Sequence, residues 1–252
     1  LLCNGHVTTR IMRKYLANPD LHGVVIMTFG TYLASFFSYL LQFFLGRLLT
    51  VEDYGLFNTY LAISYILGVP SYVLSTSIVK YVADLSGKNQ FGQLSLMYRK
   101  FQLFAVSFGS VIAVILIILR SPIESYLKID HSYNTILYAV VMGFSYFIIV
   151  PLSYLQGYLR YRSYSLTNVV SSFFRFLFPV ALLYLGFGLT GVFSGMLMST
   201  VISYAVGRFM LRRNLKDKGN YDMSSDYKKL LIYSFPLLFI NLSLILLNNI
   251  DL

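Results

Sequence analysis

The chain has 252 residues, 57% of them apolar and only 12% charged, against roughly 25% charged in an ordinary soluble domain. Its net charge of +10 raises nucleic acid as a partner, but the basic residues lie in the links between long apolar runs, so no nucleic acid is expected. One cysteine, Cys3, excludes an intrachain disulfide or a Cys-based metal site, and His6, His22 and His131 stand far apart, so no metal or other cofactor is expected.

Residues 1–23 are polar and basic and read as a cytoplasmic N-terminal segment, with Asn18-Pro19-Asp20 as a stop before the membrane. Seven apolar segments follow, at 24–45, 55–79, 101–119, 134–154, 165–185, 189–208 and 230–250. Each is close to the ~20 residues that a spanning helix needs. The fold class is therefore all-α, a polytopic transmembrane helix bundle. The first segment is too long for a signal peptide and is followed by further spans. With the N-terminus in the cytoplasm, sixteen Lys and Arg fall on the inner side and three (Arg47, Arg120 and Lys128) on the outer, with Arg175 within the membrane. That alternation places the chain in the inner or plasma membrane, N-terminus inside.

Span one mixes Gly30, Ala34, Ser35 and Ser38 among aromatics, which permits close helix contact. Gln42 reads equally as a path-lining group or a packing hydrogen bond. The connection Leu45 to Phe57 puts Arg47 at the outer end of span one and Glu52 and Asp53 in the outer turn. In span two, Pro70 frees a carbonyl for which Ser71, Ser75 and Ser77 are nearby partners. Pro151, Pro179 and Pro236 interrupt spans four, five and seven, as in transporters. Residues 80–100 read as an inner link with an interfacial amphipathic helix. Span three faces lipid, and an outer loop begins at Arg120-Ser121-Pro122. Tyr154, Tyr158, Tyr161 and Tyr164 form an interfacial belt.

Span five, Ser165 to Leu185, carries one charge, Arg175, ten positions from either end. At about 1.5 Å per residue that is roughly 15 Å from each surface. A cation there costs about 2.5–3.5 kcal/mol unless water or an anion offsets it. Asn168, Ser171, Ser172 and Arg175 recur at i, i+3, i+4, i+7 and share one helix face. This polar stripe reads as half of a substrate path; the alternative is an arginine bonded to carbonyls of a neighbouring helix for structure alone. Residues 209–229 are charged, with Gly219-Asn220 as a turn signal, and read as a cytoplasmic linker between lobes. The seventh span, at 230–252, opens a second lobe after a first lobe of six helices at 24–208, so the chain is expected to be part of a longer protein. Asp251, close to the end, is the one carboxylate near the spans that is placed for ion coupling.

Four stretches carry a resemblance: LGRLLTVEDYGLF (Leu45 to Phe57), GVPSYVLSTSIVKYVAD (Gly68 to Asp84), LQGYLRYRSYSLTNVVSSFFR (Leu155 to Arg175) and YLGFGLTGVFSGMLMSTVISY (Tyr184 to Tyr204). In order and spacing they resemble the polysaccharide and O-antigen flippases of the multidrug/oligosaccharidyl-lipid/polysaccharide superfamily, over most of residues 24–252. The resemblance implies no enzyme. It implies two six-helix lobes that rock to move a lipid-linked oligosaccharide from the inner to the outer leaflet. Its partners would be that substrate, membrane lipids and other polysaccharide assembly proteins. Arg175 would hold the phosphate, with Asn168, Ser171 and Ser172 beside it, and Arg47 would receive it next. Two other functions stay open: a multidrug or small-molecule exporter of the same superfamily, which would want an acidic cavity, and a membrane-embedded glycan polymerase or ligase, which would want a positioned acid or base.

Overall fold

Apolar runs broken by single prolines and short turns fold, among the described residues, into helices alone. The computed structural model describes residues 19–127, 132–212 and the single position 243. Seven helices are described: α1 Pro19–Leu48, α2 Val51–Gly87, α3 Phe91–Ile118, α4 Arg120–Leu127, α5 Ser132–Gly157, α6 Tyr161–Tyr184 and α7 Gly188–Leu211. All but the short α4 are long and apolar enough to cross a membrane, giving 6 spans among the described residues. The expected seventh span, most of the linker 209–229 and Asp251 lie outside the described residues.

The helices outrun the apolar segments. Pro19, expected to stop the chain before the membrane, instead opens α1, where its missing N–H costs nothing and its fixed φ suits the first helical position. Residues 80–100 are not a link: α2 continues to Gly87 and α3 begins at Phe91. The charges there cap the extension, with Lys88 Nζ 2.8 Å from Asp84 Oδ2 at i, i+4. Leu94 and Met97 are fully buried among Ile78, Val82 and Tyr154 rather than facing a membrane surface. The outer loop at Arg120 folds as α4. Thr50 starts α2 as its N-cap, accepting from Asp53 N at 3.1 Å, and Glu52 and Asp53 favour the positive end of the helix dipole.

Packing places α1 on α6, α6 on α7, α7 on α5, and both α2 and α3 on α5. Lipid tails are as apolar as leucine side chains, so close contact rather than water exclusion binds these helices. Gly109 and Gly143 meet backbone to backbone across α3 and α5, and Gly195 meets Phe178 and Pro179 across α7 and α6. Aromatic edges join α1 to α6: Phe37 to Phe173 at 5.4 Å and Phe44 to Phe176 at 5.7 Å between ring centroids. Phe104, Val111, Val114 and Ile118 of α3 are exposed, the lipid-facing surface that its aliphatic sequence implies. Gly186, at φ 85°, makes the turn between α6 and α7.

The bundle has two chemically distinct ends. Lys80, Lys88, Arg99, Lys100, Arg160, Arg162, Arg208 and Arg212 gather at one, where α2 ends, α3 begins, α5 ends, α6 begins and α7 ends. Arg47 and Arg120 occupy the other.

Pro70 has no N–H to offer the Ile66 carbonyl one turn back in α2. Beside that break, Tyr146 of α5 donates its hydroxyl to the carbonyl of Leu67 at 2.5 Å. Of the serines suggested by sequence, Ser75 pairs with Ser153 of α5 at 2.8 Å.

Candidate functional site: a hydroxyl-lined cavity with one cation

The aromatic contacts with α1 fix the rotation of α6. With Phe173 and Phe176 turned to α1, the polar stripe at i, i+3, i+4, i+7 turns the other way. There it meets α2, α5 and α7 around a cavity of about 290 Å³. Asn168, Ser171, Ser172 and Arg175 all line it.

The wall opposite is aromatic toward the arginine-poor end and hydroxylic toward the lysine-rich end. The Tyr60 and Tyr138 rings lie 4.6 Å apart, tilted by 37°, and Phe193 stands edge-on to Tyr60 at 5.3 Å. Their hydroxyls are tied down: Tyr60 Oη to Thr135 Oγ1 at 2.8 Å, and Tyr138 Oη to Ser64 Oγ at 3.0 Å. Ser145, Ser199, Thr200 and Ser203 continue the wall. Among the described residues no Asp, Glu or Lys lines this cavity, and its one charged side chain is Arg175.

Arg175 is open to the cavity, and among the described residues it makes no ion pair or hydrogen bond. The alternative drawn from sequence, an arginine bonded to neighbouring carbonyls, is therefore not found among them. A cation at this depth without a counterion is offset by water or by an anion that enters. Ser171 Oγ is buried with no hydrogen-bond partner among the described residues. Asn168 and Ser172 likewise make no hydrogen bond to the described residues.

The other expected site residues lie elsewhere. Arg47 ends α1 at the arginine-poor end, exposed, with its guanidinium 4.6 Å from the centre of the Phe43 ring, outside the cavity lining. Asp251 lies outside the described residues. Gln42 resolves to packing, donating to Asn58 Oδ1 at 3.1 Å. The opposite wall was missed by sequence reasoning; its faint signal is Ser199-Thr200 followed at i+4 by Ser203, a hydroxyl face on an otherwise apolar helix.

The sequence model of a family described as "Polysaccharide biosynthesis protein" matches residues 21–252. The chain belongs to the polysaccharide biosynthesis protein family. This family member also has the fold of solved transporters. It superposes with TM-score 0.75 and 14% identity on a MOP superfamily transporter from Pyrococcus furiosus, described by a binding pocket of reverse polarity that suggests a different function; 90% of this chain and 54% of that one are covered. An outward-facing multidrug resistance MATE family transporter of the MOP superfamily gives TM-score 0.76 at 14% identity, covering 90% of this chain and 54% of that one. A MATE crystal structure in complex with Br-NRF gives 0.72 at 17% identity, covering 89% and 54%. At these identities the likeness establishes the fold alone. The chain spans about half the length of each of these structures. No curated protein matches the chain. It is a multi-pass membrane protein of the polysaccharide biosynthesis family, built as half of a MOP-type fold.

Proposed function

We propose that this chain is the N-terminal lobe of a flippase that moves a lipid-linked oligosaccharide, a glycan on a polyprenyl diphosphate, across the membrane by alternating access. The observation that carries the reading is Arg175, unpaired among the described residues, on a cavity whose described lining has many hydroxyl groups and no carboxylate. Sugar hydroxyls and a diphosphate cannot cross hydrocarbon unaided, because each unsatisfied polar group there costs several kcal/mol. A cavity of this chemistry replaces their water while the polyprenyl tail stays in lipid. Arg175 and the free donors of Asn168, Ser171 and Ser172 take the diphosphate. The lysine-rich end faces the cytoplasm, in keeping with the positive-inside rule. A second lobe closes the cavity from the other side, and rocking of the lobes exposes it to each leaflet in turn.

An exporter of cationic drugs, as the likeness to a multidrug resistance transporter suggests, would place a carboxylate where Arg175 stands. A polymerase or ligase would place an acid or base there.

The full-length protein reconstituted in liposomes is expected to move a fluorescent lipid-linked oligosaccharide from one leaflet to the other, read by its accessibility to a membrane-impermeant glycosidase. Protein-free liposomes should not. Transport of a cationic dye without transport of the glycolipid would replace this reading with the drug exporter.

A further inference from the structure

The two walls of the cavity differ in which partner of a hydrogen bond they offer. A serine or threonine hydroxyl has one proton and two lone pairs. On the wall facing α6 the protons are already spent on helix carbonyls. Thr200 donates to Met196 O at 2.8 Å, Ser199 to Met196 O at 2.7 Å and Ser203 to Ser199 O at 2.6 Å. Ser145 donates to Val141 O and Ser64 to Tyr60 O, each at 2.8 Å. Because the Ser64 proton is used, Tyr138 is the donor in its 3.0 Å contact with Ser64. What this wall has left for a ligand is lone pairs. The α6 wall is the reverse: Arg175, the Asn168 amide and the Ser171 and Ser172 hydroxyls give no hydrogen bond to the described residues, so their protons are free.

From this asymmetry we infer the orientation and chemical class of the headgroup, resting on the flippase reading above. A diphosphate has only acceptor oxygens at neutral pH and meets lone-pair repulsion at the α7 side, so it lies on α6. The first sugar points across the bundle. Its free hydroxyls donate to Ser199, Thr200 and Ser203, while the CH face of the ring rests on Tyr138 and Phe193. The site thus selects sugars that carry unsubstituted hydroxyls and discriminates against O-alkylated or O-acylated ones, since a capped oxygen facing an acceptor leaves both unsatisfied.

Three probes test this on the purified full-length protein in nanodiscs: a polyprenyl diphosphate, its glucosyl form, and the same glucoside with its hydroxyls O-methylated. The glucosyl form should bind about five- to tenfold more tightly than the methylated one, in line with the loss of one or two hydrogen bonds. Thr200→Val and Ser203→Ala should shrink that ratio toward one, whereas Asn168→Asp, which turns a donor wall toward repulsion, should weaken all three probes together. Equal binding of the free and methylated glucosides by the natural protein overturns the inference. So does a Thr200→Val variant that weakens the sugar-free diphosphate as much as the glucoside. Failure of the natural protein to bind even the sugar-free diphosphate would instead remove the flippase reading on which the inference stands. Unfolding of a variant is told apart by its elution profile, and the methylated probe needs no variant at all.

Discussion

Arg175→Ala is expected to lower glycolipid translocation by about 10- to 100-fold, the loss of one charge-assisted contact worth about 1.5–3 kcal/mol. Membrane insertion and folding should be unharmed. The insertion scale puts an unpaired arginine at mid-depth about 2.5–3.5 kcal/mol above an apolar residue, so its removal relieves the bundle rather than weakening it. Arg175→Lys keeps the charge and loses the planar fork, and should retain partial transport. Complementation of a deletion strain, with the variant's membrane level measured by immunoblot, reads both quantities. A drop in folded protein that accounts for all the lost transport would make Arg175 a packing residue, as the structural alternative has it. The absence of any described partner for its guanidinium argues against that outcome.

Gly195→Leu should be the most damaging change for the bundle itself. A Cβ at Gly195 would come within 2.7 Å of Phe178 C and Pro179 Cα, and it would also meet Pro179 N. These are backbone atoms, so no rotamer relieves the clash. Overpacking of this kind costs about 1–3 kcal/mol and more where the backbone must part. Separation of α7 from α6 would also displace Arg175 from the wall it faces, because Pro179 lies one turn from it. Gly55→Ala provides the contrast, since nothing lies within 4 Å of a Cβ there and alanine is the better helix former. Thermal melts of the detergent-solubilised protein, followed by size exclusion, should show a fall of several degrees or no recoverable monomer for Gly195→Leu, with Gly55→Ala unchanged or raised. Equal melting of both would mean that α6 and α7 do not approach as closely as described.

What the sequence made legible follows the range over which each signal acts. The spans and the polar face of α6 are properties of one helix, set by apolar length and the helical period, and Asn168, Ser171, Ser172 and Arg175 come together as that period requires. Helix ends were harder to place: Lys80 and Asp84 lower hydropathy without disfavouring helix, so α2 passes through a segment that reads as a link. The opposite wall is assembled from single residues of α2, α5 and α7, and no local pattern announces Ser64, Tyr138 and Ser199 as neighbours across one space. Arg47 shows what a motif gives, the position of a residue along the chain and not its surroundings. It stands where the motif puts it, at the end of α1, yet stacks over Phe43 and does not line the cavity. The hydroxyl that reaches the Leu67 carbonyl beside Pro70 comes from α5, a contact that only tertiary packing makes.

The most direct test of the central claim is the fate of the glycolipid when the full-length gene is deleted in its host. The account expects polyprenyl-linked repeat units to build up on the cytoplasmic leaflet, protected from a periplasmic or extracellular glycosidase, with surface polysaccharide lost. Repeat units that still reach the outer leaflet at the normal rate would contradict it.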